Sequence, residues 1–438
     1  MQIEKLKLKN FRCYDALEID FEPKLTVIVG ENGKGKTAIF DALAIGLEPF
    51  LRCFNIAGKH ICAKDVRRVP IYQKDGKHLE AMRSEYPVEL TLEGEVHGKH
   101  IRCHKSVSSA TATEELAEDL LERGKLLCNA LCEDESTLLP AFAYYGTARM
   151  WVDSSLMEDD QQEQLNERLI GYKECLEPSS SYNTFGHWFK LISERAAQQD
   201  HSEAAADALL VQEAVRQAID ACLESTGFHN LYYHAELGCF VINHPDMGEM
   251  VVDDLSDGFR SILSMVADLA YRMVRLNPQL GAEAVVATPG LVLIDEIDMH
   301  LHPLWQQSVL LDMQHAFPNV QFIVTTHSPQ VLSSVPAESV RVLVWGRNFE
   351  GVRRVSFAMG ASSAQILQDI QNVTLRSERL PIVQSLKRYL ELVSEDKWDS
   401  QEALALRKQL DAWSKGNEPE LLRADMDIRM RKFRRQRS

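Results

Sequence analysis

The sequence predicts an α/β fold built on a buried parallel sheet, and three stretches predict it. Leu25-Thr-Val-Ile-Val29 is a short apolar run that leads into Gly30-Glu-Asn-Gly-Lys-Gly-Lys-Thr37 and then into the helix-patterned Ala38-Ile-Phe-Asp-Ala-Leu-Ala-Ile-Gly-Leu47. Gly290-Leu-Val-Leu-Ile-Asp-Glu296 is apolar until two acids end it, as in a strand covered on both faces. Val320-Gln-Phe-Ile-Val-Thr-Thr326 repeats the pattern and ends in His327-Ser-Pro329.

The bulk properties bound the rest. A chain of 438 residues, 45% hydrophobic and 26% charged, has room for two or three globular domains. No apolar run reaches bilayer length, and the N-terminal ten residues alternate like a strand, so a cytoplasmic chain with no membrane contact is expected. Nine cysteines without a repeated spacing fit a reducing compartment better than a disulfide framework. A net charge of −16 excludes a generally DNA-binding surface, so nucleic-acid contact would be local or made through a complex.

Taken in chain order, the first chemical element is the loop 30–37, which fits G-x-x-x-x-G-K-[ST] between a strand and a helix. Its glycines let backbone N–H groups curl around an oligophosphate, which puts Asn32, Gly33, Lys34 and Gly35 at the phosphates. Lys36 would reach the β- and γ-phosphates and the Thr37 hydroxyl would ligate Mg²⁺. Tyr86–Val96 and Ile101–Val107 alternate around a turn at 97–99 and read as a β-hairpin. Its His97, His100, Cys103 and His104 look metal-like, but alternation sends Cys103 to the opposite face from His100 and His104. Leu139–Tyr145 reads as a further strand. From about 150 to 225 the pattern is helical and acidic without sustained heptads, which suggests a short lobe. Ser256, in Leu255-Ser-Asp-Gly-Phe-Arg-Ser261, is a natural N-cap for the helical run after it. Asp295 would hold Mg²⁺ through water, and Glu296 would be the general base that polarises an attacking water. Beyond 376 the chain is helical and polar, breaks near 397–400 and 416–419, and ends in Arg429-Met-Arg-Lys-Phe-Arg-Arg-Gln-Arg437.

The order of phosphate loop, Leu-Ser-x-Gly, apolar-Asp-Glu and strand-Thr-Thr-His-Ser-Pro resembles the ABC-type P-loop ATPase heads of the structural-maintenance, recombination-repair and OLD-like families. Such a head has a mixed central sheet and an antiparallel side sheet. The resemblance implies that two heads sandwich two ATP molecules, with Ser256 and Gly258 meeting the γ-phosphate of the opposite protomer. Asp257 and Phe259 depart from the commoner signature, and an acid there needs an offsetting cation such as Arg260. His327 occupies the switch-histidine position, and Asn10-Phe11-Arg12 matches the first-strand motif whose arginine lies near the nucleotide. Where the families usually place a glutamine, Gly146-Thr-Ala-Arg149 stands, which makes Arg149 a candidate contact. Asp298, His300 and His302 fall in the stretch that the resemblance puts at the dimer interface.

Together with Tyr144-Tyr-Gly-Thr-Ala-Arg149 and Leu-His-Pro-Leu-Trp-Gln306, these motifs are most similar to the compact ATPases of bacterial anti-phage systems of the Septu type. That implies a homo-oligomer of dimeric heads working with a separate HNH nuclease, since no acidic Asp-x-Asp strand follows the head. The expected organisation is a first half-head with side sheet over 1–150, an inserted helical lobe over 151–230, a second half-head over 231–375, and a helical tail with a basic end over 376–438. A stand-alone DNA-repair ATPase and a nucleotide-gated scaffold with little turnover are the alternatives.

Overall fold

The computed structural model describes residues 1–73, 78–116, 119–147, 168–178, 183–197, 203–346 and 349–435. They form two units, Met1–Ile366 and Leu367–Ser438.

In the first unit, β1 (Gln2–Phe11) and β2 (Tyr14–Asp20) make an antiparallel hairpin. Alternation along β1 buries Ile3, Leu6 and Leu8, while Lys5, Lys7 and Lys9 pair with Glu18, Glu93 and Glu89 of the flanking strands. β3 (Leu25–Val29) is buried throughout and passes through the glycine loop into α1 (Lys36–Arg52). A small ribbon follows, β4 (Arg68–Tyr72) with β5 (Leu79–Ser84). Next, β6 (Val88–Val96), β7 (Lys99–Val107) and β8 (Glu115–Leu116) complete an antiparallel sheet of order β2-β1-β6-β7-β8. The hairpin turns at His97–Gly98, both at positive φ.

α2 (Asp119–Glu133) leads to β9 (Ala141–Tyr145). α3 (Asn183–Ala197) and α4 (Glu203–Leu223) precede a meander of β10 (His229–His234), β11 (Cys239–His244) and β12 (Gly248–Val251), which delivers α5 (Asp257–Leu276). β13 (Gly290–Ile294), β14 (Val320–Thr325), β15 (Val340–Gly346) and β16 (Phe349–Arg354) finish the unit. The central sheet runs β16-β15-β3-β14-β13-β9, parallel except for the edge strand β16. It is a mixed central sheet, and the five-stranded antiparallel sheet is the second sheet of the unit.

The register fixes where the chemistry falls. Val27 lies opposite Val324, and Val324 opposite Ile294, so the loop after β3, the acids after β13 and the histidine after β14 leave the sheet side by side. Ligands gather at the carboxyl ends of parallel strands for this reason. α1 is buried along most of its length. Gly46 lets it approach β6, since a Cβ there would stand 3.2 Å from Leu90 and from Leu92. Lys105 of β7 is fully buried and bonds Glu48 of α1 at 2.8 Å.

The helical stretch is packed into this unit. Trp188 of α3 lies against Tyr271 of α5 at 4.9 Å, and Phe228, just after α4, stacks on Phe259 at 4.4 Å. The second unit begins at Leu367 and holds helices Pro381–Ser394, Gln401–Ser414 and Pro419–Arg435 around Leu386, Tyr389, Leu392, Leu410 and Leu421. Its breaks follow local chemistry: Ser400 caps the second helix, and Lys415 and Gly416 turn the chain at positive φ. No described helix is long and apolar enough to cross a membrane.

Candidate nucleotide site

The glycine loop is shaped before any ligand is considered. Gly33 and Gly35 have φ of 79° and 85°, and a Cβ on Gly35 would stand 2.5 Å from Cys13 Sγ and 2.6 Å from Tyr14 Oη. The Tyr14 hydroxyl donates to the Lys34 carbonyl at 3.0 Å and props the loop from beneath. Helix α1 starts immediately after, with its first N–H groups directed at the loop.

Lys36 is only 7% exposed. Its ammonium donates to the Gly30 carbonyl at 2.8 Å and sits 2.7 Å from His327 Nε2. An ammonium can only donate, so Nε2 is the acceptor and the ring is neutral with its proton on Nδ1. Burial pushes the His327 pKa below its ordinary value, and the Lys36 charge pushes the same way. Burial also lowers Lys36, against the upward pull of Asp295, Glu296 and Asp298. Two groups expected at one terminal phosphate are therefore in contact.

Asp295 is 4% exposed and accepts two hydroxyl hydrogen bonds, from Thr37 at 2.8 Å and from Thr325 at 2.6 Å. Thr325 in turn accepts the Glu296 N–H at 2.7 Å, which helps hold Glu296 in a left-handed conformation with φ of 50°. Sequence reasoning missed Thr325; its signal was the first threonine of the pair that ends β14. The Thr37 hydroxyl and Asp295 carboxylate are hard oxygen donors that fit Mg²⁺. Among the described residues no group of three or more His, Cys, Asp or Glu side chains could hold a metal. In the hairpin, Cys103 is buried while His104 bonds Thr91 and His100 approaches Glu4.

The N-terminus of α5 is exposed at Ser256 and Asp257, and Ser256 Oγ caps it by accepting the Phe259 N–H. Gly258 is required there because a Cβ would lie 2.0 Å from the His300 carbonyl oxygen. Phe259, where the commoner signature has glutamine, is a core anchor between Phe228 and Trp305. Arg260 pairs with Asp257 and so supplies the offsetting cation.

Three further candidates have partners within their own chain. Arg12 bonds Asp41 of α1 at 2.6 Å and Asp65 at 2.8 Å, which ties the β1–β2 turn to the helix one turn beyond Thr37. Asp298, expected at an interface, accepts from the Thr326 hydroxyl at 2.6 Å and the His327 N–H at 3.3 Å within its own chain. His302 caps the helix Pro303–Gln306 by accepting the Leu304 N–H, and His300 is exposed. Arg149 lies outside the described residues.

Known families and proteins are similar to this chain. A family described as "AAA domain" matches residues 5–217, and a second AAA-domain family, whose description mentions the AbiEii toxin of a type IV toxin–antitoxin system, matches residues 190–333. The retron Ec83 probable ATPase of Escherichia coli is 25% identical, across 98% of this chain and 87% of its own length. The retron Vc95 probable ATPase of Vibrio cholerae is 26% identical, across 92% and 87%. The Septu protein PtuA of Bacillus mycoides is 24% identical across 78% of this chain and 40% of its own length.

Proposed function

We propose that this chain, an ABC/SMC-like P-loop ATPase related to the retron and Septu ATPases, binds ATP with Mg²⁺ and hydrolyses it as a subunit of an anti-phage defence complex. One observation carries the chemistry: Lys36, Thr37, Asp295 and His327, from three segments up to 291 residues apart, meet through direct hydrogen bonds. The loop N–H groups of 32–37 and Lys36 hold the β- and γ-phosphates. Thr37 and Asp295 hold the metal, which when bound neutralises phosphate charge. Glu296 orients and deprotonates the attacking water, and neutral His327 hydrogen-bonds the γ-phosphate and that water. Arg12 acts at one remove, by fixing the start of α1 through Asp41.

The exposed Ser256 end of α5 supports a head-to-head dimer in which each ATP is gripped by the loop of one protomer and the signature of the other. A helix N-terminus offers free N–H groups and partial positive charge to an anion. The likeness to PtuA supports membership of a defence complex with a partner protein, and the partner implied by the sequence motifs is a separate HNH nuclease that would do the cutting. The acidic balance of the chain supports nucleic-acid contact through that complex.

The test is ATP hydrolysis with bound nucleotide measured in parallel. Glu296→Gln should lower turnover by about two orders of magnitude or more while ATP binding persists, and Lys36→Ala should abolish binding. Wild-type turnover in Glu296→Gln would remove Glu296 as the base.

A further inference from the structure

Gln306 is a polar hub that no motif of the site explains. It follows the acidic strand by ten residues, at the end of the short helix Pro303–Gln306, and is half-buried. Its Nε2 donates to the Leu301 carbonyl at 2.9 Å and the Asp298 carbonyl at 3.3 Å. Its Oε1 accepts from the Ser328 hydroxyl at 2.7 Å. The orientation of the amide is forced, because only its nitrogen end can face two carbonyl oxygens.

The two ends of this amide grip the two segments that flank the reacting phosphate. One is the turn 296–301, which carries Glu296 and holds two non-glycine residues at positive φ, Glu296 at 50° and His300 at 63°. Such backbone is unfavourable for a residue with a side chain and persists only where neighbours hold it. The other is the segment after His327, where Ser328 Oγ also accepts the N–H groups of Gln330 and Val331. His327 is then held from both sides, by Asp298 at its own N–H and by Ser328 one residue on.

We propose that Gln306 is a positioning residue for hydrolysis, which locks the Glu296 turn to the His327 segment so that base and switch histidine stay in register. The inference rests on the ATPase reading above. Gln306 touches neither the loop 30–37 nor Lys36 in any hydrogen bond of the described residues, so its loss falls on the reaction step and not on capture of ATP. A displacement of the order of 1 Å between reacting groups costs about a hundredfold in rate.

The experiment is steady-state ATP hydrolysis by the full chain, with thermal unfolding of each variant. Gln306→Met keeps length and volume but removes both contacts, and should lower kcat about ten- to a hundredfold with KM for ATP within about twofold. Ser328→Ala cuts the link to the histidine segment, together with the bonds that Ser328 accepts from the Gln330 and Val331 N–H groups, and should lower kcat in the same direction. Because both remove one coupling, the double variant should be no worse than the poorer single one. Unchanged kcat in Gln306→Met with native-like unfolding would overturn the inference, as would a loss confined to KM. Should Gln306→Met fail to fold, Ser328→Ala decides by the same criteria. Absence of turnover in the wild type would sink the ATPase reading and this inference with it, whereas turnover untouched by either variant sinks only the latter.

Discussion

At the scale of single residues, the site works by setting charge states through contact and burial. Lys36 and His327 lie 2.7 Å apart, and both are pushed toward their neutral forms by removal from water. The proposed reaction needs neutral imidazole. A lowered folded-state pKa means that His327 gains its proton only below its ordinary value of 6.5. The pH profile of kcat/KM reports the free enzyme, so the contribution of His327 to its acid limb should fall below pH 6.5, and His327→Ala should remove that contribution. An acid limb centred above pH 6.5 would contradict this environment. The glycines and the lysine were legible from spacing alone, because the loop is local. Thr325 and Gln306 were not, because their roles appear only when β14 and the turn after β13 are brought together.

At the scale of elements, α1 is the part that transmits support from the side sheet to the phosphate loop. Its contacts with β6 and β7 are close, through Gly46 and the Lys105–Glu48 pair. Lys105 and Glu48 are both essentially inaccessible, and Glu114 and Arg52 add weaker contacts at 3.5 and 3.6 Å. Removing one member of such a pair strands a buried charge, while replacing both with apolar groups of similar size does not. Lys105→Met should therefore destabilise the first unit by about 3 kcal/mol, and Glu48→Met with Lys105→Met should recover most of it, by urea unfolding. Equal destabilisation by the single and double variants would mean that packing alone decides this contact. Periodicity located the hairpin β6–β7 and the face of Cys103. It could not tell that Lys105 on the same inner face meets an acid from α1, since pairing across 57 residues leaves no local trace.

At the scale of the whole molecule, the proposed dimer would take one half-site from the phosphate loop after β3 and the other from the exposed capped helix at Ser256. A second copy is expected to complete each. With Glu296→Gln to stop turnover, Mg²⁺-ATP should double the mass seen by sedimentation, and Ser256→Arg should abolish that doubling while leaving ATP bound to the monomer. Doubling that survives Ser256→Arg, or occurs without ATP, would point to a different interface. The sequence by itself determined the class of the fold, the loop, the acidic strand, the histidine and their order, because each is encoded in a few adjacent residues whose backbone geometry and burial are set locally. The resemblance carried by those motifs also pointed to the Septu ATPases, though not to the retron ATPases that match more of the chain. Only the tertiary structure decided which side chains touch: Lys36 with His327, Thr325 with Asp295, Arg12 with Asp41, Asp298 with its own histidine segment, and Gln306 between two turns. The physical reason is that a parallel sheet assembles strands distant in the chain at one edge. Hydrogen bonds of 3 Å between them depend on register and helix packing, which no short stretch of sequence contains.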